Sequence, residues 1–278
     1  MPVHLPGVER AVATVKALRA EGGCPWDRAQ THETLRPYLL EEAYEVLEAL
    51  DQPPSPARQA NLREELGDLL LQVLLHAQIA EEKGEFTFDQ LAGDLAAKLE
   101  RRHPHVFGGT PINTAEEVVS QWEKTKAKEK PKLSALDGVP AALPALQQSL
   151  KVIEKVSKVG FQWENLEGPL EKLQEELQEF LHEVKVLGPT GAVTRASTQE
   201  LAPEIRTKIE SELGDLLFAI GNVAYFLHVN PEDALRTMLA RFSKRFRHVE
   251  KRAKESGRAL KEMSLAEMDV FWAEAKRL

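Results

Sequence analysis

The chain has 278 residues, 42% hydrophobic and 29% charged, a balance that excludes a disordered chain or a disulfide scaffold and suits one large domain or two ordinary ones. Its 36 Lys+Arg against 44 Asp+Glu leave a formal charge of -8, which argues against a general nucleic-acid binder, because such a protein needs a net basic face to displace counterions. The single cysteine, Cys24, suits a reducing compartment, no stretch reaches the roughly 18 apolar residues of a membrane span, and residues 1–7 lack the basic and apolar regions of a signal peptide; a cytoplasmic protein with no membrane partner is expected.

Helix formers and helix punctuation run the length of the chain. Apolar periodicity predicts helices near 8–21, 37–51, 56–83, 88–102, 115–130, 144–159, 168–187, 204–228, 231–256 and 265–277. Thr87 with Gln90, Thr114 with Glu117 and Ser264 with Glu267 have the capping-box spacing. Ser55-Pro56 and Asn230-Pro231 each set a capping side chain before a first-turn proline. Gly84, Gly160 and Gly257 follow periodic runs, where helices end. With no alternating strand and no hairpin signal, the fold class is all-α.

The stretch 131–144, PKLSALDGVPAALP, reads as a linker between an N-terminal domain, 1–130, and a C-terminal domain, 145–278. A second irregular stretch, 188–203, reads as a long loop within the C-terminal half, a length often functional or mobile. The two halves repeat each other. Gly23-Cys24-Pro25-Trp26-Asp27 is matched by Gly160-Phe161-Gln162-Trp163-Glu164, and Glu41-Glu42-Ala43-Tyr44-Glu45 by Glu175-Glu176-Leu177-Gln178-Glu179. The run Glu-Leu-Gly-Asp-Leu-Leu starting at Glu65 recurs letter for letter at Glu212. Lys98 and Arg102 align with Arg241 and Arg245, and Trp122 with Lys126 aligns with Trp272 and Lys276. Matches in the same order signify a duplicated unit.

Residues three apart on a helix share a face. Glu42 with Glu45 and Glu65 with Asp68 therefore converge if their helices pack antiparallel, and Glu176, Glu179, Glu212 and Asp215 build the same cluster again. Glu41 and Glu175 turn about 100° away, as candidate supports. Four carboxylates at close range stay ionised together only beside a cation, and all-oxygen ligation suits magnesium or manganese. A lone Glu-Glu-x-x-Glu is usually a solvated face; the second motif lies among Leu66, Leu69, Leu70, Leu71 and Leu213, Leu216, Leu217, Phe218, which read as core. Gly67 and Gly214 cost their helices about 1 kcal/mol against alanine, which points to close packing or ligand approach.

The pairs Lys98/Arg102 and Arg241/Arg245 make basic stripes, which are solvated faces or, beside a metal cluster, phosphate holders. Trp122/Lys126 and Trp272/Lys276 read either as core tryptophans with a neighbouring lysine or as a base-stacking ring with a phosphate contact. Two alternatives belong to other classes. A helical adaptor would use the same bundles to bind protein, and a di-iron carboxylate protein would use the Glu-x-x-His spacing of Glu179 and His182, which the first half replaces by Glu48.

The order GCPWD, EEAYE, ELGDLL, KLERRHPHVF and a Trp–Lys pair, over nearly the whole chain and in two copies, resembles the MazG family of nucleoside triphosphate pyrophosphohydrolases. The resemblance implies two tandem all-α domains with four-helix-bundle cores completed by homodimerisation, and a magnesium enzyme. The reaction implied converts nucleoside triphosphates to monophosphate and pyrophosphate with broad base tolerance. It carries metal binding onto Glu42, Glu45, Glu65 and Asp68 and onto Glu176, Glu179, Glu212 and Asp215. It carries nucleotide contact onto Arg241, Arg245, Trp272 and Lys276, with Lys98, Arg102, Trp122 and Lys126 as the first-copy counterparts. In two-copy members the second copy is regarded as the active one, yet both copies here keep every acidic position. The chemistry expected is attack of a metal-activated water on the α-phosphorus, with Glu175 or a ligand carboxylate as base.

Overall fold

The computed structural model describes residues 6–109, 114–129 and 133–277, and the chain divides into two compact units, Met1–Pro131 and Lys132–Leu278. The first unit holds α1 (Pro6–Arg19), α2 (Pro25–Ala29), α3 (Arg36–Asp51), α4 (Pro56–Glu82), α5 (Phe88–Arg102), α6 (Pro104–Phe107) and α7 (Ala115–Glu129). The second holds α8 (Ala145–Ser157), α9 (Glu167–Lys185), α10 (Pro203–Phe226), α11 (Pro231–Glu255) and α12 (Leu265–Ala275), with 3-10 turns at 190–192 and 260–262. No strand occurs among the described residues. All ten expected helices are present within a few residues; α2 and α6, each a single turn, escape a periodicity argument because one turn has no period. Pro131 and Lys132, the start of the expected linker, and Lys130, the end of the fifth expected helix, lie outside the described residues.

The punctuation works as its chemistry requires. Ser264 and Glu267 form a reciprocal capping box at α12, as do Thr87 and Gln90 at α5. Ser55 accepts the Arg58 amide at α4, and Asn230 the amides of Glu232 and Asp233 at α11. Gly84 and Gly257 take φ of +71° and +74°, the left-handed turn that ends a helix. The stretch 133–144 is not free chain: the Asp137 carboxylate accepts the amides of Leu133 and Ser134, and Lys155 Nζ on α8 donates to the Asp137 carbonyl at 2.6 Å. The loop 188–202 also has structure of its own, a 3-10 turn followed by Thr194 and Ser197 bonding each other's backbone.

In the first unit, Val15, Leu35, Leu74, Leu75 and Ile79 form the core, with Val12, Leu71 and Phe88 against it. It is pinned by Arg19, whose buried guanidinium binds Glu82 at 2.7 Å and the carbonyls of Asp27 and Gln30, tying α1, α2 and α4 together. In the second unit α10 packs on both α9 and α8. A Cβ at Gly221 would lie 2.9 Å from Ser149 Oγ and 3.2 Å from Ile153 Cδ1, so glycine lets α10 and α8 meet.

The motif leucines depart from expectation. Leu66, Leu70, Leu213, Leu217 and Phe218 are exposed, and a Cβ at Gly67 or Gly214 would meet nothing within 4 Å. Periodicity marks these side chains as apolar; it does not say whether one chain covers them. Close packing within the chain is therefore not the reason for either glycine.

Candidate functional site

The acidic motifs sit on paired helices, α3 with α4 in the first unit and α9 with α10 in the second. In the first, Glu42, Glu45 and Glu65 each bring a carboxylate oxygen within 4.8 Å of the others, and in the second Glu176, Glu179 and Glu212 do the same. Asp68 and Asp215 stand outside these triads. Asp68 is still near enough for its charge to act, after burial, in raising the Glu42 carboxyl above its ordinary range, with Glu45 adding to the effect. Burial and the same neighbours raise Glu65, and burial with Glu176, Glu175 and Glu212 raises Glu179. Such shifts mark carboxylates packed closer than their charges favour.

The two clusters differ in one respect that the repeat did not reveal. Glu176 is buried, only 6% exposed, and the Lys172 ammonium binds it at 2.7 Å and Glu175 at 3.0 Å. Those bonds hold Lys172 well above its ordinary value. In the register that aligns Glu41 with Glu175, the first unit has Tyr38 at this position, its ring edge-on to Trp26 with centroids 5.8 Å apart. Lys172 was legible, four residues before Glu176, as an i,i+4 partner. Glu175 is exposed and so engaged, and His182 is exposed and outside the triad.

The basic residues of the second unit line a cavity of about 410 Å³, formed by Arg241, Lys244, Arg245, Arg247, Lys251 and Lys276 with His248. Trp272 is half-buried beside it, its ring 5.0 Å from that of Phe242 and 6.0 Å from the Arg245 guanidinium. Among the described residues no carboxylate pairs with Arg241, Arg245 or Lys276. In the first unit Lys98 is exposed, whereas Arg102 and Lys126 lie over the Trp122 ring at 5.5 and 5.1 Å. A separate apolar cavity of about 500 Å³ opens between α8 and the turn at 160–163, walled by Val156, Phe161, Trp163 and Phe218, with the amides of Gln162 and Asn222 as its polar points.

The model of the MazG nucleotide pyrophosphohydrolase domain matches residues 30–107 and 165–250, once in each unit. A Thermotoga maritima protein named nucleoside triphosphate pyrophosphohydrolase/pyrophosphatase MazG is 42% identical over 270 residues, covering 96% of this chain and 95% of its own. An Escherichia coli K12 protein named nucleoside triphosphate pyrophosphohydrolase is 39% identical over 276 residues, 97% of each chain. A protein of the same name from Mycobacterium tuberculosis is 47% identical over 152 residues, 54% of this chain and 45% of its own.

Proposed function

Because the chain belongs to the MazG nucleotide pyrophosphohydrolase family, we propose that it hydrolyses nucleoside and deoxynucleoside triphosphates to the monophosphate and pyrophosphate. The observation that carries this reading is the presence in one unit of a carboxylate triad and a cavity ringed by six cationic side chains. A magnesium–triphosphate complex needs both.

The donor set fits a hard divalent cation. Three carboxylates converge within 4.8 Å, burial and then repulsion from Glu176, Glu175 and Glu212 raise Glu179, and one cationic group, the Lys172 ammonium, already rests on Glu176. Glu176, Glu179 and Glu212 with Asp215 would hold the ion, as would Glu42, Glu45 and Glu65 with Asp68 in the first unit. When bound there, magnesium (or manganese) offsets phosphate charge and brings the pKa of a water towards neutrality.

The chain's own residues then have separable tasks. Arg241, Arg245 and Lys276 hold phosphate oxygens and offset the charge that grows on the departing pyrophosphate. Glu175, once it releases Lys172, accepts the proton of the attacking water. The water oxygen bonds to the α-phosphorus as the bond to the bridging oxygen of the β-phosphate breaks. Trp272 offers a ring on which any base can stack, which suits broad base tolerance and a housekeeping role on the nucleotide pool. Two copies of the chain, covering each other's exposed leucine rows, form the working dimer, and a lone thiol suits the cytoplasm.

Product identity tests this. Incubation with a panel of NTPs and dNTPs should yield monophosphate and pyrophosphate in magnesium and nothing in chelator. Diphosphate plus orthophosphate would move the point of attack, and no product from any nucleotide would favour the adaptor. With the first triad disabled, Glu176→Gln and Asp215→Asn should each lower turnover by orders of magnitude at unchanged helicity; full activity in either variant would sink the assignment.

A further inference from the structure

The basic stripes of the two units are at first sight equivalent, yet only one of them is free. At the end of α7 the Glu129 carboxylate closes on the two adjacent arginines at the end of α5: Arg101 Nε donates to Oε1 at 2.8 Å, and Arg102 donates to Oε2 through Nε at 3.1 Å and through Nη2. Both partners of the second contact are partly buried, with side-chain exposures of 16% and 20% for Arg102 and Glu129. One carboxylate oxygen takes two donors of Arg102 and the other takes Arg101, so a carboxylate occupies the donors with which the arginine would hold a phosphate. Arg102 and Lys126 also lie over the Trp122 ring, so Arg102 is engaged by the carboxylate and the ring together. In the second unit Arg245, aligned with Arg102, lies by the Trp272 ring, pairs with no carboxylate among the described residues, and lines an open cavity.

We propose that Glu129 is an internal competitor for the triphosphate, seated on the first unit's phosphate-binding arginine, so that two copies with the same acidic motifs are unequal in nucleotide affinity. The proposal rests on the reading of Arg102 and Arg245 as phosphate contacts. A triphosphate entering the first unit must displace Glu129 from Arg102, which the arginines hold ionised, its carboxyl drawn down to about 2. Acidification in the working range therefore does not open this site. Among the described residues of the second unit no carboxylate sits on Arg245; Glu274 engages His248 and Arg252 instead. Glu129 is a positioning residue by this argument, touching the phosphate-binding group and not the substrate.

The test uses the full chain with the second unit silenced by Glu176→Gln and Arg245→Gln, and reads equilibrium binding of a triphosphate with a non-hydrolysable α–β bridge by calorimetry. In that background Glu129→Gln, near-isosteric and uncharged, should tighten binding by about three- to tenfold, and Glu129→Asp, which keeps the charge, should not. Glu129→Ala serves as a second opening variant should the glutamine pair with the arginines anew. Adding Arg102→Gln should abolish the gain. If neither Glu129→Gln nor Glu129→Ala tightens binding while Arg102→Gln weakens it, the competitor role is overturned and the arginine's role stands. If Arg102→Gln also changes nothing, the phosphate-contact reading of the first unit falls, and the proposal with it.

Discussion

His32 and His76 meet in the first unit with their Nδ1 atoms 2.8 Å apart and their rings stacked. One Nδ1 must donate and the other accept, so the pair has room for one proton between these atoms and not two. Burial, and secondarily the charge of His32, hold His76 below its ordinary value, and its Nε2 is buried without a partner. The sign follows directly. As pH falls through the unfolded value of about 6.5, the unfolded chain takes a proton that the folded one refuses, and stability is lost on the acid side. The melting temperature should therefore drop between about pH 7.5 and about pH 5.5, and His76→Gln should flatten that dependence. An unchanged slope in the variant would assign the acid loss elsewhere. This pair is not legible in the sequence, because residues 44 positions apart in the chain show no periodic relation. Glu129 is hidden for the same reason, its contact lying 27 residues away, whereas Lys172 stands at a local spacing from Glu176 but among acidic letters that carry the stronger pattern. The acidic triads, by contrast, were legible because two members of each share a local helical spacing and only the pairing with a second helix had to be inferred, although Asp68 and Asp215, expected in the same clusters, stand outside the triads.

At the scale of elements, chain order and punctuation carried most of the fold. Capping boxes, first-turn prolines and terminal glycines are local chemistry, so helix ends could be read without knowing what the helices pack on. Close helix approaches could not. Gly221 lies in a motif-free stretch of α10, yet α8 leaves no room for a side chain there. Gly221→Val would drive a branched side chain into Ser149 and Ile153. The cost should be about 1–3 kcal/mol, the usual range for overpacking, read as a lower urea midpoint for unfolding. A midpoint equal to that of the parent would mean that the two helices part at no cost. The motif glycines give the opposite lesson. Gly67 and Gly214 look like packing residues in the sequence and face open space in the chain.

Over the whole molecule, the unresolved account is that of apolar surface. Leu66 and Leu70 in the first unit, and Leu213, Leu217 and Phe218 in the second, are 39% exposed or more, on the very helices that carry the carboxylates. Rows of this kind on a globular chain mark an interface, and they are what supports the dimer proposed above. Sedimentation should find a dimer, and replacing Leu213 and Leu217 together by Ser should shift it towards monomer. A monodisperse monomer of the parent chain at micromolar concentration would refute the dimer. Membrane burial is not an alternative for these rows in the form of a spanning helix, since no described helix is long and apolar enough to cross a bilayer.

Those open rows also make the chain's behaviour depend on its abundance. If each copy's interior is finished only by another, mass action governs both folding and turnover, and neither is a property of a single molecule. Rate should then rise more steeply than in proportion to the amount of protein at high dilution, and heat resistance should climb with concentration. Scarcity alone would silence the chain, with no inhibitor and no change in any residue.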